Sequence, residues 1–199
     1  MNIKTKITIT LASTLALMAI ATSAALFGMK TTETRLQSFI TMDVAASQAV
    51  NDLYSQGLQM EQALRNIILD PQNKTAGENM QVALTQFKAQ VKTLQQLGLT
   101  EPANQALAET VAPLQEQLEK IQGQVKLLAQ TDQAQAIALL NKEETPTWRK
   151  LRKVLLDAIK TKANLVSAVQ QENTAATRSN FVLSLAFLLV ALATSAAAA

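Results

Sequence analysis

The chain has 199 residues, with 18 Lys and Arg against 15 Asp and Glu, and neither cysteine nor histidine. Those two absences exclude structural zinc, thiol chemistry, c-type haem attachment and imidazole general-base catalysis. The net charge of +3 is no nucleic-acid signal either, because residues 31–178 balance ten Lys and five Arg against fifteen Asp and Glu, leaving the excess at Lys4, Lys6 and Lys30.

Lys6 and Lys30 bracket 23 uncharged residues, and another 21 follow Arg178. Each run is about the ~20 residues a helix needs to cross ~30 Å of hydrocarbon. Two spans are therefore expected, 7–29 and 179–199, with 1–6 ahead of the first and 30–178 as one domain between them. The small residues Ala21-Thr22-Ser23-Ala24-Ala25 behind a short basic start also fit a cleaved signal peptide. The uncharged run is longer than a usual signal core, and a second run makes a two-pass anchor the natural reading. Charge hardly orients the pair, since Lys4 and Lys6 oppose Lys30 and Arg35.

From Lys30 to Asp70 there is no proline and a single glycine, which predicts one helix of 41 residues, ~60 Å long. Within it Ala46, Val50, Leu53, Gly57, Met60, Leu64 and Ile67 alternate in steps of four and three. That is a narrow seam buried against partner helices, and Asp70-Pro71 stops it. PQNKTAGEN reads as a turn, with Asn73 or Thr75 capping the next helix. Met80, Leu84, Phe87, Val91 and Leu94 repeat the seam, and Gly98 marks its end.

A third stripe runs through Leu107, Val111, Leu114, Leu118, Ile121, Val125 and Leu128, with Pro113 inside it as a kink or a start. Thr131-Asp132 caps a short helix over AQAIALLN, and Thr145-Pro146 reads as a break. The last long helix opens at Thr147, shows Trp148, Leu151, Leu155, Ile159, Val166 and Val169, and runs on into the second apolar segment. No strand signal appears, and helix should cover roughly 85–90% of the chain, far above the base rate. The expected fold is all-α, an up-down-up-down antiparallel four-helix bundle flanked by two transmembrane helices.

LRNIILDPQNKTA (Leu64–Ala76) and AIALLNKEETPTWRKLRKVL (Ala136–Leu155) resemble the periplasmic four-helix-bundle region of bacterial methyl-accepting chemotaxis proteins. The resemblance covers the bundle and both flanks. It implies a homodimer through the first helix in the bacterial inner membrane, with residues 1–6 cytoplasmic and the sensor domain, 30–178, in the periplasm. It also implies a small anionic ligand whose binding biases a slide of the last helix and its attached span. Such receptors continue into a HAMP linker and a cytoplasmic hairpin, which this sequence does not contain. A cytoplasmic kinase and adaptor are thus expected partners only where such an output region exists. The same bundle also fronts histidine kinases and cyclases, and a ligand-free envelope tether fits the pattern as well.

In that family, first-helix arginines near the membrane-distal end hold ligand carboxylates across a dimer interface, and Arg65 best matches one of them. A guanidinium is a permanently charged planar fork suited to carboxylates. Gln56 and Glu61 stand where aspartate-sensing members carry further arginines, so a di- or tricarboxylate is expected before an amino acid. Arg65 is also four residues from Glu61, the spacing of a plain surface ion pair.

The second candidate is TWRKLRK, Thr147 to Lys153, in a stretch with seven cations and three anions between Lys142 and Lys162. Arg149 and Arg152 share a helix face. Arg65 lies 35 residues beyond Lys30 and Arg149 lies 29 before Arg178, ~52 and ~44 Å of helix, so the two can converge on one anion. Asn66, Tyr54 and Thr147 add hydrogen-bonding groups. Glu143-Glu144 is the only adjacent carboxylate pair, and helical neighbours do not face each other. No phosphate loop, nucleophile elbow or metal spacing occurs, so no cofactor, no metal and no enzymatic activity are expected.

Overall fold

A computed structural model describes residues 3–198; Met1, Asn2 and Ala199, the outermost residues of the expected cytoplasmic tail and second span, lie outside them. Every described residue is helical except 70–73, 99–101 and 132, so the protein is all-α and richer in helix than expected. The chain forms two compact units, Met42–Leu165 on one hand and Met1–Thr41 with Val166–Ala199 on the other.

In the first unit, α2 (Ala45–Leu69), α3 (Lys74–Gly98) and α4 (Pro102–Thr131) are followed by the short α5 (Gln133–Leu139). A π turn, Leu140–Glu144, joins α5 to α6 (Thr145–Ala198), whose opening turns belong to this unit. All seven seam residues of α2 are buried, as is every stripe position of α3 except the half-buried Leu84. Val50, Leu53 and Met60 join Phe87, Leu94, Val111 and Leu118 with Trp148, Leu151 and Leu155 in one apolar cluster. A second cluster holds Leu64, Ile67 and Ile68 with Met80, Ile121, Val125 and Ala136. Four long helical segments thus supply the core, with α2 packed on α3 and α4 and Trp148, Leu151 and Leu155 of α6 in the same cluster.

The helix ends follow local chemistry. Asn73 Oδ1 accepts from Ala76 N at 2.9 Å and Asp132 Oδ1 from Gln135 N at 3.0 Å, so both caps form. Because Asn73 is the cap, α3 already begins at Lys74, and the expected turn over 71–79 contracts to its first residues. Asn73→Ala should therefore lower stability by about 1 kcal/mol, read as a lower thermal midpoint of the full chain.

α3 ends at Gly98 as expected, and of the two breakers only Pro146 departs from expectation. Gly98 has no left-handed backbone conformation. It is small because α4 crosses there, and a Cβ on it would stand 2.8 Å from Gln105 Cα. Pro146 does not break the chain; helix continues from Gln133 through the π turn into α6. A proline at 146 removes one amide donor and crowds the carbonyl four residues back, and the π turn over those preceding residues absorbs the misfit. Pro113 lies within α4, which starts at Pro102.

In the other unit, α1 (Ile3–Ser38) and the later part of α6 leave large apolar side chains open, Phe27 at 76% and Phe181 at 69% exposure. Thr8, Ser13 and Thr22 donate their hydroxyls to carbonyls one turn back, which satisfies them without water. A Cβ on Gly28 would lie 3.2 Å from Asn180 Nδ2, so the two helices come close at that level. Two helical segments, within Ile3–Leu69 and Gln133–Ala193, are long and apolar enough to cross a membrane. A second π turn, Phe39–Val44, leads from α1 into α2.

Candidate functional site

The first unit carries an open groove of about 550 Å³ whose walls are two helical stripes. From α2 come Leu58, Glu61, Gln62, Arg65 and Asn66, spaced by three, one, three and one residues, so they form one face. From α6 come Thr145, Trp148, Arg149 and Arg152, again one face. The groove exists because α2 and α6 meet at a glycine: Gly57 faces the six-membered ring of Trp148, where a Cβ would approach Cη2 to 2.2 Å. Trp148 is buried and ties this wall to the core.

Of the candidates named from sequence, Arg65, Asn66, Arg149 and Arg152 line this groove together. Tyr54 stands outside the lining but holds Arg152: Nη2 donates to its hydroxyl at 3.4 Å, and the guanidinium carbon sits 5.9 Å from the ring centre. Thr147 is not brought to the groove. It is buried and donates its hydroxyl to Glu143 O at 2.8 Å, while Thr145, two residues earlier and on another face, takes the lining position. Arg149 has no ion-pair or hydrogen-bond partner among the described residues and is exposed.

Arg65 does make the local pair with Glu61, Nη2 to Oε2 at 3.2 Å. Glu61, however, is no surface carboxylate: it is 5% exposed, whereas Arg65 is open to solvent. Behind it lies a polar layer that the sequence reading did not identify. Gln122 Nε2 donates to Glu144 Oε1 at 2.9 Å, with Gln122 2% and Glu144 0% exposed. Glu144 in turn lies within hydrogen-bonding reach of Glu61. Along α2, Glu61 separates Met60 of one apolar cluster from Ala63 of the other, and on α4 Gln122 follows Ile121, where the second cluster begins. The layer therefore marks the seam between the two halves of the core.

Electrostatically, the groove gathers three guanidiniums over a buried carboxyl pair. Burial, then the hydrogen bond and charge of Glu144, push the Glu61 carboxyl up to about 9, against the downward pull of Arg65. Three guanidiniums thus face a Glu61 carboxyl that burial keeps protonated near neutrality, and the groove is cationic. No cluster of His, Cys, Asp or Glu able to hold a metal occurs among the described residues. The arrangement can hold an anion with bidentate carboxylate geometry at Arg149 and Arg65. No protein-family model, no characterised protein and no solved structure matches the chain.

Proposed function

We propose that the chain is the sensor region of a two-pass receptor of the bacterial inner membrane, similar to a methyl-accepting chemotaxis protein, whose periplasmic groove binds a small organic acid. The observation that carries this reading is the convergence of Arg65, Arg149 and Arg152 on one groove in a chain with no excess charge over its middle. In this reading residues 30–178 are an up-down-up-down four-helix bundle, and 7–29 and 179–199 are its transmembrane helices. The two apolar helical segments support it, as do the buried seam of α2, the largely buried stripe of α3, and Val111, Leu118, Ile121 and Val125 buried on α4. Homodimers form through the first helix, and the ligand biases a small displacement of α6, which carries residues of both units in one element. That displacement signals only to the extent that affinity differs between the two positions.

The test is calorimetry on the full chain in lipid nanodiscs, with citrate, malate and succinate as probes beside aspartate and serine. Binding of a di- or tricarboxylate is expected, and Arg149→Ala should weaken it about ten- to hundredfold, the worth of one charge-assisted hydrogen-bonded contact. Unchanged affinity in Arg149→Ala would remove this groove as the site. If no probe binds, the Arg65–Glu61 ion pair favours the second reading, a ligand-free helical tether of the envelope.

A further inference from the structure

We propose that Glu61 and Glu144 share one proton, and that this proton is part of the binding site because it keeps Glu61 uncharged beneath Arg65. The inference rests on the anion-binding reading of the groove. Its geometric basis is a deficit of donors. Ionised carboxylates only accept hydrogen bonds. Glu61 Oε2 takes Arg65 and Glu144 Oε1 takes Gln122, which leaves Glu61 Oε1 and Glu144 Oε2 buried with no partner. An unsatisfied buried acceptor is costly, and two of them on facing carboxylates would add repulsion in a low-dielectric layer. A single proton between the two carboxyls supplies the donor both lack and removes one of the two charges.

The surrounding groups leave few other ways to balance that charge. From α2 only Arg65 reaches Glu61, and from α6 Arg149 and Arg152 line the same groove. On α4 the partner is the uncharged Gln122, while Lys142 and Glu143 of the π turn point to solvent. Among the described residues, α3 and α5 bring no buried polar side chain to the layer. The upward shift of Glu61 agrees with this arrangement.

The consequence concerns the ligand. While the proton is present, Arg65 touches a neutral carboxyl and its charge remains available to a bound carboxylate. Once the proton leaves to solvent, Glu61 becomes an anion in the groove wall, neutralises Arg65 and repels the ligand. Binding an anion in that alkaline range must then take up one proton from buffer, by linkage. Glu144, held by Gln122, is a positioning residue: it touches no ligand and acts by fixing the proton on Glu61.

Citrate affinity of the full chain in nanodiscs, measured from about pH 7 to about pH 10, tests this. Wild type is expected to lose about tenfold in affinity for each pH unit above the titration of the pair, and Glu61→Gln to show a flat profile. An equal fall in both proteins overturns the proposal. Infrared spectroscopy separates it from the groove reading: a protonated-carboxyl C=O band at neutral pH should vanish in Glu61→Gln. Citrate binding without that band overturns the shared proton and leaves the groove reading standing. The band without citrate binding overturns the groove reading and the proton's part in it, and leaves only the shared proton.

Discussion

Raising the pH from near 4.5 to near 9 should steadily destabilise the Met42–Leu165 unit, and Glu61→Gln should abolish most of that slope. In this window the folded chain keeps a proton on the Glu61 carboxyl, whose value is raised from 4.5 to about 9, whereas the unfolded chain has released it. The folded state binds more protons, so stability falls as pH rises. The contribution is complete below the unfolded value and exhausted above the folded one. One proton sets a slope of at most about 1.4 kcal/mol per pH unit inside this window; solvent in the open groove screens the shift and so narrows the window rather than the slope. Trp148 is the sole tryptophan and is buried in this unit, so its fluorescence isolates the relevant transition. The direction is diagnostic, because carboxylates held by ordinary salt bridges give the opposite slope. A midpoint that climbs between these two values, or an equal decline in Glu61→Gln, would refute the buried proton.

That layer also shows where the sequence stops being informative. Steps of three and four fix which face of a helix is apolar, and Ala46 to Ile67 are buried as that arithmetic requires. Caps are equally local: Asn73 and Asp132 act on amides only three residues away. The arginine face was legible for the same reason, since Arg149 and Arg152 are one helical turn apart. Glu61, by contrast, lies one position off the seam, where a carboxylate can point outward or be buried. Glu144 has an exposed twin in Glu143 and differs from it only by helical phase. What pairs Glu61 with Glu144 and Gln122 is the vertical registry of three elements, and no spacing within one helix encodes registry between helices. Polar residues flanking three stripes at the junction of two apolar clusters were the available signal. Thr147 fails for a related reason, because its helix phase is set by the π turn ahead of it rather than by the run of cations that follows.

Gly57→Ala should destabilise the folded chain even though it replaces a poor helix former with the best one. Inside a helix the exchange alone is worth about 1 kcal/mol of added stability. Here the new Cβ would stand 2.2 Å from Trp148 Cη2 and 2.4 Å from Cζ3, far inside contact distance. The indole is rigid and packed in the main apolar cluster, so relief requires α2 and α6 to part. Overpacking of that kind costs about 1–3 kcal/mol, occasionally more. Against the propensity gain this leaves a net loss of up to about 2 kcal/mol. Trp148→Ala alone should cost more, about 3–5 kcal/mol, by opening a cavity beside Gly57. In that background the sign of Gly57→Ala should reverse, since its methyl now meets space and the helix-forming gain remains. A double-mutant cycle followed by circular dichroism of the full chain in nanodiscs reads the coupling directly. Gly57→Ala raising the midpoint with Trp148 intact would mean that the indole does not seat on that glycine, and the groove wall that presents Arg149 would lose its anchor.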